Sequence, residues 1–284
     1  MDKPIRNTIN WYPGHMAKAK RKIAEDLPLV DIVLELLDSR LPISSQNPDF
    51  HNLFSTKPTL TILTKTSLCD KNRLPEFKHM LEEGGRRVIA IDCKQNRDLS
   101  SVSSEIKSIL SDKLDRAAAK GIKNTPIRCL VVGITNVGKS TFINTYTNTK
   151  KAKVEDRPGV TRQNQWVSAA DGIELLDTPG LLWPKFDDPS VGIKLAAIGS
   201  IRDEILDTLT LACDLLAIIM EKYPEALESR YKIHIGDSEP YDVFEKIAKA
   251  RGFIRSGGVI DEDRTAACIL DEFRGGVIGK MTLD

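Results

Sequence analysis

Apolar runs of strand length recur along the first two thirds of the chain, separated by mixed segments. VDIVLELLD (30–38), TLTILT (59–64), RVIAID (87–92) and RCLVVGI (128–134) are near-continuous in apolar residues. That is the pattern of strands covered on both faces. Helix-compatible segments lie between them, near 71–83 and 100–119. QWVSAA (165–170) and IELLD (173–177) flank Asp171-Gly172, a tight-hairpin signal. Strands alternating with helices predict an α/β fold with a doubly wound, mostly parallel sheet. Ahead of these, residues 15–27 place Met16, Ala19, Ile23 and Leu27 on one helical face. Lys18, Arg21, Lys22 and Glu25 lie largely off that face. With Lys20, these basic side chains form either a solvated face or a local phosphate-contacting patch.

The period changes after Pro184. Leu206, Leu209, Leu216 and Ile219, then Val243, Phe244, Ile247 and Ala248, follow helical spacing. Pro224, Pro240 and the Ser256-Gly257-Gly258 turn divide this stretch into several helices. The expected division is an α/β domain over 1–186 and a small all-α domain over 187–284. The boundary falls near 184–192.

Composition narrows the function classes. The 284 residues carry a net charge of +1, so any nucleic-acid surface must be local. No apolar run reaches membrane-spanning length, and the first residues lack the apolar core of a secretory signal. Cys69, Cys93, Cys129, Cys213 and Cys268 are odd in number and scattered, which reads as reduced thiols in a cytoplasmic protein.

The strongest chemical signal is VVGITNVGKSTF (131–142), which reduces to Gly133-x4-Gly138-Lys139-Ser140. A loop that cradles phosphates needs glycines so that backbone N–H groups can approach the oxygens. Lys139 then supplies a charge to the β- and γ-phosphates, and Ser140 a hydroxyl to Mg²⁺. Asn136, Val137 and Thr141 complete the loop, and the helix beginning there aims its positive end at the anion. Asp177-Thr178-Pro179-Gly180 closes a later strand, so Asp177 suits contact with Mg²⁺ through water and the Gly180 N–H suits a γ-phosphate. Between them, Thr161 lies in a Gly/Pro loop from which it could close onto Mg²⁺ and the γ-phosphate.

A guanine reader is expected after these parts, and nothing beyond residue 180 resembles one. Upstream, TLTILT ends in Thr64-Lys65-Thr66-Ser67, and RVIAID ends in Asp92-Cys93, where a base-backing loop could sit. The base-reading parts therefore precede the phosphate loop. Ligands in such sheets sit outside the carboxyl ends of the strands, so adjacency matters and chain order does not. A circular permutation keeps the site.

With WYPGHMAKAKRKI, DSRLPISSQNP, GITNVGKSTFIN, DRPGVT and LLDTPGLLWPKF in this order, the chain resembles the ribosome biogenesis GTPase A branch (YlqF/RbgA type) of circularly permuted GTPases. The resemblance runs over nearly the whole length. It implies a permuted Ras-like G domain followed by a helical domain that binds ribosomal RNA. It also implies GTP hydrolysis late in large-subunit assembly, with release afterwards, in a protein that is monomeric off the ribosome. In related GTPases Asn136's counterpart coordinates K⁺, which makes K⁺ a second expected cofactor beside Mg²⁺.

The chain departs from the family pattern at the base reader and at Thr135. Thr64 and Ser67 stand where the family has Asn and Asp, so the charged acceptor for two guanine N–H groups is replaced by one hydroxyl. Asp70, three residues on, is not expected to substitute. Thr135 stands where the family usually has Pro, with little effect expected. Leu181 and Leu182 follow Gly180 and cannot orient a water. The resemblance points to His15 for that role, with slow turnover of the free protein and stimulation by the subunit; a helix cap or an RNA contact is the other reading of His15. The altered base reader keeps open a nucleotide-gated RNA-binding scaffold with weak guanine selectivity and little turnover, or an enzyme with relaxed base choice.

Overall fold

In the computed structural model, residues 14–93, 99–122, 125–148, 165–169 and 172–284 are described. Six strands form one sheet: β1 Ile32–Asp38, β2 Thr59–Thr64, β3 Arg87–Ala90, β4 Ile127–Gly133, β5 Gln165–Ser168 and β6 Ile173–Asp177. Their order across the sheet is β3-β2-β1-β4-β6-β5, and all pairings are parallel except β5 with β6. The apolar runs reach the centre because they bury both faces. Every residue of β1 is buried, including Glu35 and Asp38.

Around the sheet lie α1 Gly14–Asp26, α2 Pro48–Leu53, α3 Leu74–Glu83, α4 Leu99–Ile109, α5 Ser111–Ala119 and α6 Lys139–Tyr146. Met16, Ala19 and Ile23 of the expected stripe are buried in α1, whereas Leu27 begins a 3-10 turn after the helix and is only partly buried. The single helix expected over 100–119 is two helices that break at Leu110. Helix α2 escaped the pattern because six residues are too few to show a period. Its cap is nonetheless written locally: Pro48 takes the first turn and the Asn47 side chain accepts from the Asp49 N–H.

Beyond Pro184 the chain is helical: α7 Pro189–Ala197, α8 Thr208–Lys222, α9 Pro224–Tyr231, α10 Pro240–Arg251 and α11 Glu262–Arg274. Helix α8 is the spine, with Leu211, Leu215, Leu216 and Ile219 buried against α7, α10 and α11. Val243, Phe244, Ile247 and Ala248 fill the other side from α10. Leu206 and Leu209 are only partly buried, and Leu206 precedes the helix rather than joining it.

The topology fixes where a ligand binds. From β1 the chain winds through β2 and β3 to one side of the sheet, while β4 and β6 lie on the other. Winding reverses between β1 and β4, and a crevice opens outside the carboxyl ends of those strands. Counted from β4, the strands read second, third, first, fourth, fifth, sixth across the sheet, the order of an unpermuted Ras-like domain.

Candidate nucleotide site

The loops after β1, β2, β3, β4 and β6 all emerge at this one edge. The phosphate loop leaves β4 at Gly133 and ends at Gly138, which caps α6 at φ 101°. An L side chain rarely adopts that angle, so the spacing of the motif needs glycine there. Lys139 is buried, and its Nζ donates to the Gly133 and Ile134 carbonyls at 3.2 and 2.6 Å. The ammonium is thus held over its own loop, beside the N-terminus of α6. Burial lowers the Lys139 ammonium to about 8, against the pull of Asp177. Ser140 and Thr141, in the first turn of α6, are half-buried.

Asp177 ends β6, adjacent to β4. Burial pushes its carboxyl up to about 6, with Lys139 pulling the other way. Its Oδ1 is buried and has no hydrogen-bond partner among the described residues. A buried unpaired carboxylate oxygen is costly unless a ligand completes it. Together with the Ser140 hydroxyl it gives hard oxygen donors, the type Mg²⁺ takes. Gly180 is packed so closely that an added Cβ would lie 2.7 Å from the Thr135 Cα. Leu181 and Leu182 are buried apolar side chains, with no group to orient a water.

The base-side loop is joined to the phosphate loop. The Thr64 hydroxyl lies 2.7 Å from the Val137 carbonyl and 3.0 Å from the Leu37 carbonyl, so its single hydrogen is shared between them. Lys65 sits at φ 56°, a conformation costly for a non-glycine residue. Its Nζ donates to the Asn136 carbonyl at 2.5 Å and pairs with Asp38 at 3.0 Å. The lysine thus runs alongside the phosphate loop. Thr66 and Ser67 are half-buried, and Ser67 makes no hydrogen bond among the described residues. Asp92 and Cys93, after β3, are buried.

The Asp70 carboxylate is engaged elsewhere. Its Oδ1 accepts from the Asn72 N–H at 2.9 Å and its Oδ2 from the Tyr223 hydroxyl at 3.3 Å. It is tied to the helical region.

Sequence reasoning gave no chemical role to Asp38 and Arg40, which prove central. The Arg40 guanidinium clasps the Asp38 carboxylate at 2.9 and 2.8 Å, with both side chains fully buried. Burial alone would raise the Asp38 carboxyl; Arg40 and Lys65 overrule it and hold it well below the usual carboxylate range. A charged residue ending a wholly buried strand, with Arg two positions on, was the available signal. The rest of DSRLPISSQNP is also structural: the Asn47 amide donates to the Leu181 carbonyl at 3.1 Å, pinning the chain after Gly180.

The Thr161 loop and the side chain of His15 lie outside the described residues. So does part of the Asp171-Gly172 turn, although the two strands it joins pair as expected.

Comparison with known proteins agrees with this geometry. A model of 50S ribosome-binding GTPases matches residues 128–247, starting at the strand that enters the phosphate loop. Ribosome biogenesis GTPase A of Bacillus cereus is 42% identical over 276 residues, covering 97% of this chain and 93% of that protein. The chain belongs to the ribosome biogenesis GTPase A family. The family's Thermotoga maritima member is 31% identical over 278 residues, 97% of this chain and 94% of its own length. A GDP-bound YlqF structure superposes with a TM-score of 0.69 at 25% identity, over 93% of this chain and 98% of that one. The GNP-bound YlqF from T. maritima gives 0.65 at 26% identity, over 94% and 97%. Membership carries nucleotide binding with a divalent metal, and the permuted G domain with its helical region is the family's fold. Among the described residues, no helix is long and apolar enough to cross a membrane.

Proposed function

We propose that this chain is a GTP-hydrolysing assembly factor for the large ribosomal subunit, cytoplasmic and monomeric off the ribosome. In this reading residues 1–186 form the permuted GTPase domain and 187–284 the helical RNA-binding domain. The observation that carries it is the pair of bonds from Thr64 and Lys65 to the Val137 and Asn136 carbonyls. They join a base loop and a phosphate loop some 70 residues apart into one site outside β1 and β4.

Each residue then has a role. Backbone N–H groups of 133–141 cradle the phosphates, and Lys139 neutralises their charge as it shifts toward the leaving oxygen. Ser140, Thr161 and, through water, Asp177 would hold Mg²⁺, which when bound neutralises charge on the β- and γ-phosphate oxygens. Gly180 offers its N–H to the γ-phosphate, and Asn136 would hold K⁺. Lys65 lies along the base; Thr66, Ser67, Asp92 and Cys93 surround it. His15 orients the attacking water, since Leu181 and Leu182 cannot.

Ribosomal RNA is assigned first to α1. Lys18 and Arg21 are exposed and have no acidic partner among the described residues, while Lys20 and Lys22 pair with Asp49 and Asp26. In the helical region Arg230, Arg251, Arg255 and Arg274 are each paired with a carboxylate. Subunit binding that falls steeply with salt is expected; salt-independent binding contradicts it.

Competition of GTP, ATP and XTP against a fluorescent GDP analogue, with Mg²⁺ and K⁺, tests the nucleotide. Preference for GTP by about a hundredfold, about 3 kcal/mol, supports a guanine reader built on Ser67. Equal competition by ATP favours the second reading, a nucleotide-gated RNA scaffold with little turnover, to which the commitment of Asp70 to Tyr223 already lends weight. Turnover is then measured with and without large subunits, in the wild type and in His15→Ala. Stimulation that survives the substitution removes His15 from the reaction.

A further inference from the structure

Among the described residues, the phosphate loop is bonded to the helical region at the turn that ends α7. The Thr135 hydroxyl donates to the Ser200 carbonyl, and the Ser200 hydroxyl donates back to the Thr135 carbonyl at 2.8 Å. Both residues are buried, at 3% and 0% exposure. Next to this reciprocal pair, the Asn136 side-chain amide donates to the Gly199 carbonyl at 2.6 Å. Burial matters for the Thr135–Ser200 pair: with no water to substitute, its hydroxyls and carbonyls lose their partners outright if the loop and the turn separate.

The other face of the turn is fixed to α11. The Arg274 guanidinium donates to the Ala196 and Ala197 carbonyls at 3.1 and 3.0 Å and grips Asp203 with two bonds of 2.7 and 2.8 Å. The Arg274 carbonyl in turn accepts from Arg40 at 3.3 Å, the residue that clasps Asp38. Residues 196–203 therefore lie between the phosphate loop and the last helix, held from both sides.

Thr135 also touches the γ-phosphate side of the site. There is no free space between Gly180 and Thr135: a Cβ on Gly180 would meet the Thr135 N, Cα and Cγ2 at 2.7–2.8 Å. The Leu181 N–H donates to the Gly133 carbonyl at 3.2 Å. Any displacement of Gly180 toward a phosphate must be accommodated by Thr135, and Thr135 is bonded to Ser200. Packed interiors transmit such shifts because they hold no slack.

We propose that Thr135 and Ser200 form the contact through which the γ-phosphate is sensed by the helical region, with Ser200 acting as a positioning residue for the phosphate loop. The linkage is reciprocal: a ligand that shifts the α7 turn changes the preference between di- and triphosphate by the same factor. The inference rests on the nucleotide site proposed above and not on the ribosomal partner. Thr135 was expected to matter little; its hydroxyl gives the loop one of its bonds to the α7 turn.

Hydrogen exchange tests this on the full chain, with saturating GDP or a non-hydrolysable β,γ-imido GTP analogue. Displacement of a fluorescent GDP analogue first verifies binding of each. Failure at that step removes the nucleotide site itself and is distinct from failure of the contact. The amides to follow are Gly199 and Ser200, which donate to the Ala196 and Leu195 carbonyls, in peptides over 195–203. The wild type should exchange about fivefold or more differently between the two nucleotides, the lower end of ordinary coupling. Ser200→Ala and Thr135→Val should reduce that difference to less than about twofold, and Thr135→Ser should restore it. If Thr135→Val fails to fold or bind nucleotide, Ser200→Ala decides. No difference in the wild type, or a difference that persists in Ser200→Ala, overturns the proposal.

Discussion

The two ends of the nucleotide site are built differently. The phosphate end of the proposed site is framed by backbone: Gly138 is required by its φ and Gly180 by close approach, while Lys139 is fixed over main-chain carbonyls. A loop of this kind leaves little freedom of residue choice, so its motif stands intact. At the base end recognition depends on side-chain chemistry, and two of its residues have changed. Thr64 keeps the support function through its bond to Val137, whereas Ser67 presents only a half-buried hydroxyl. Support of the loop and reading of the base are separable tasks, and in the proposed site only the second lacks its usual carboxylate.

Asp38 is the shared foundation, so removing it should damage the comparison most. Asp38→Asn leaves Arg40 buried without a counter-charge and removes the ion pair that anchors Lys65. A loss of about 3–5 kcal/mol is expected in urea unfolding. Acid should report the same group. The folded carboxyl lies below its ordinary value of 3.8, so the unfolded chain takes up the proton first. The Asp38 contribution is therefore complete above about pH 4 and is lost as pH falls through and beyond that value. The Asn variant should lack this part of the acid slope; an unchanged slope would show that the pair is not the source.

Lys139→Ala attacks the phosphate end alone. GDP and GTP affinity should fall by about a hundredfold, about 3 kcal/mol, since a charge-assisted contact to phosphate is lost. The loss should be equal for guanine and adenine nucleotides in the displacement assay. Unequal losses would mean that the two ends are not independent.

Ser67→Asp addresses the base end alone. A carboxylate accepting two guanine N–H groups should improve GTP over ATP by roughly 10- to 150-fold, about 1.5–3 kcal/mol. Binding of ATP should not improve. If GTP gains nothing, the Ser67 position does not face the base, and the reader lies elsewhere.

How much of this was legible in the sequence follows the same division. Strands β2 and β6 appear at their predicted limits because a doubly buried strand is a bare apolar run. The place of the Gly133–Ser140 loop between β4 and α6, and of Asp177 at the end of β6, was readable from spacing. Asp38 and Arg40 were not, since their meaning is a pairing at the end of a buried strand, which residue order does not display. Thr135 was discounted for a similar reason: its partner Ser200 lies 65 residues away, and only folding brings the two hydroxyls to each other's carbonyls. Helix α2 was too short to carry a period, and the break at Leu110 lacks a Gly or Pro to announce it.

The smallest expected effect tests whether Thr64 is only a support. Thr64→Val removes the hydroxyl while keeping the branched shape, so the buried Val137 and Leu37 carbonyls lose a donor. About 1–2 kcal/mol of stability should go. The ratio of GTP to ATP affinity should stay within about threefold, because the hydroxyl is engaged with carbonyls and not with the base. Thr64→Asn should behave like the wild type in both measurements, its amide donating to the same carbonyls. A selectivity change in either variant would make Thr64 part of the reader, and the separation of support from reading would fail at the residue on which it rests.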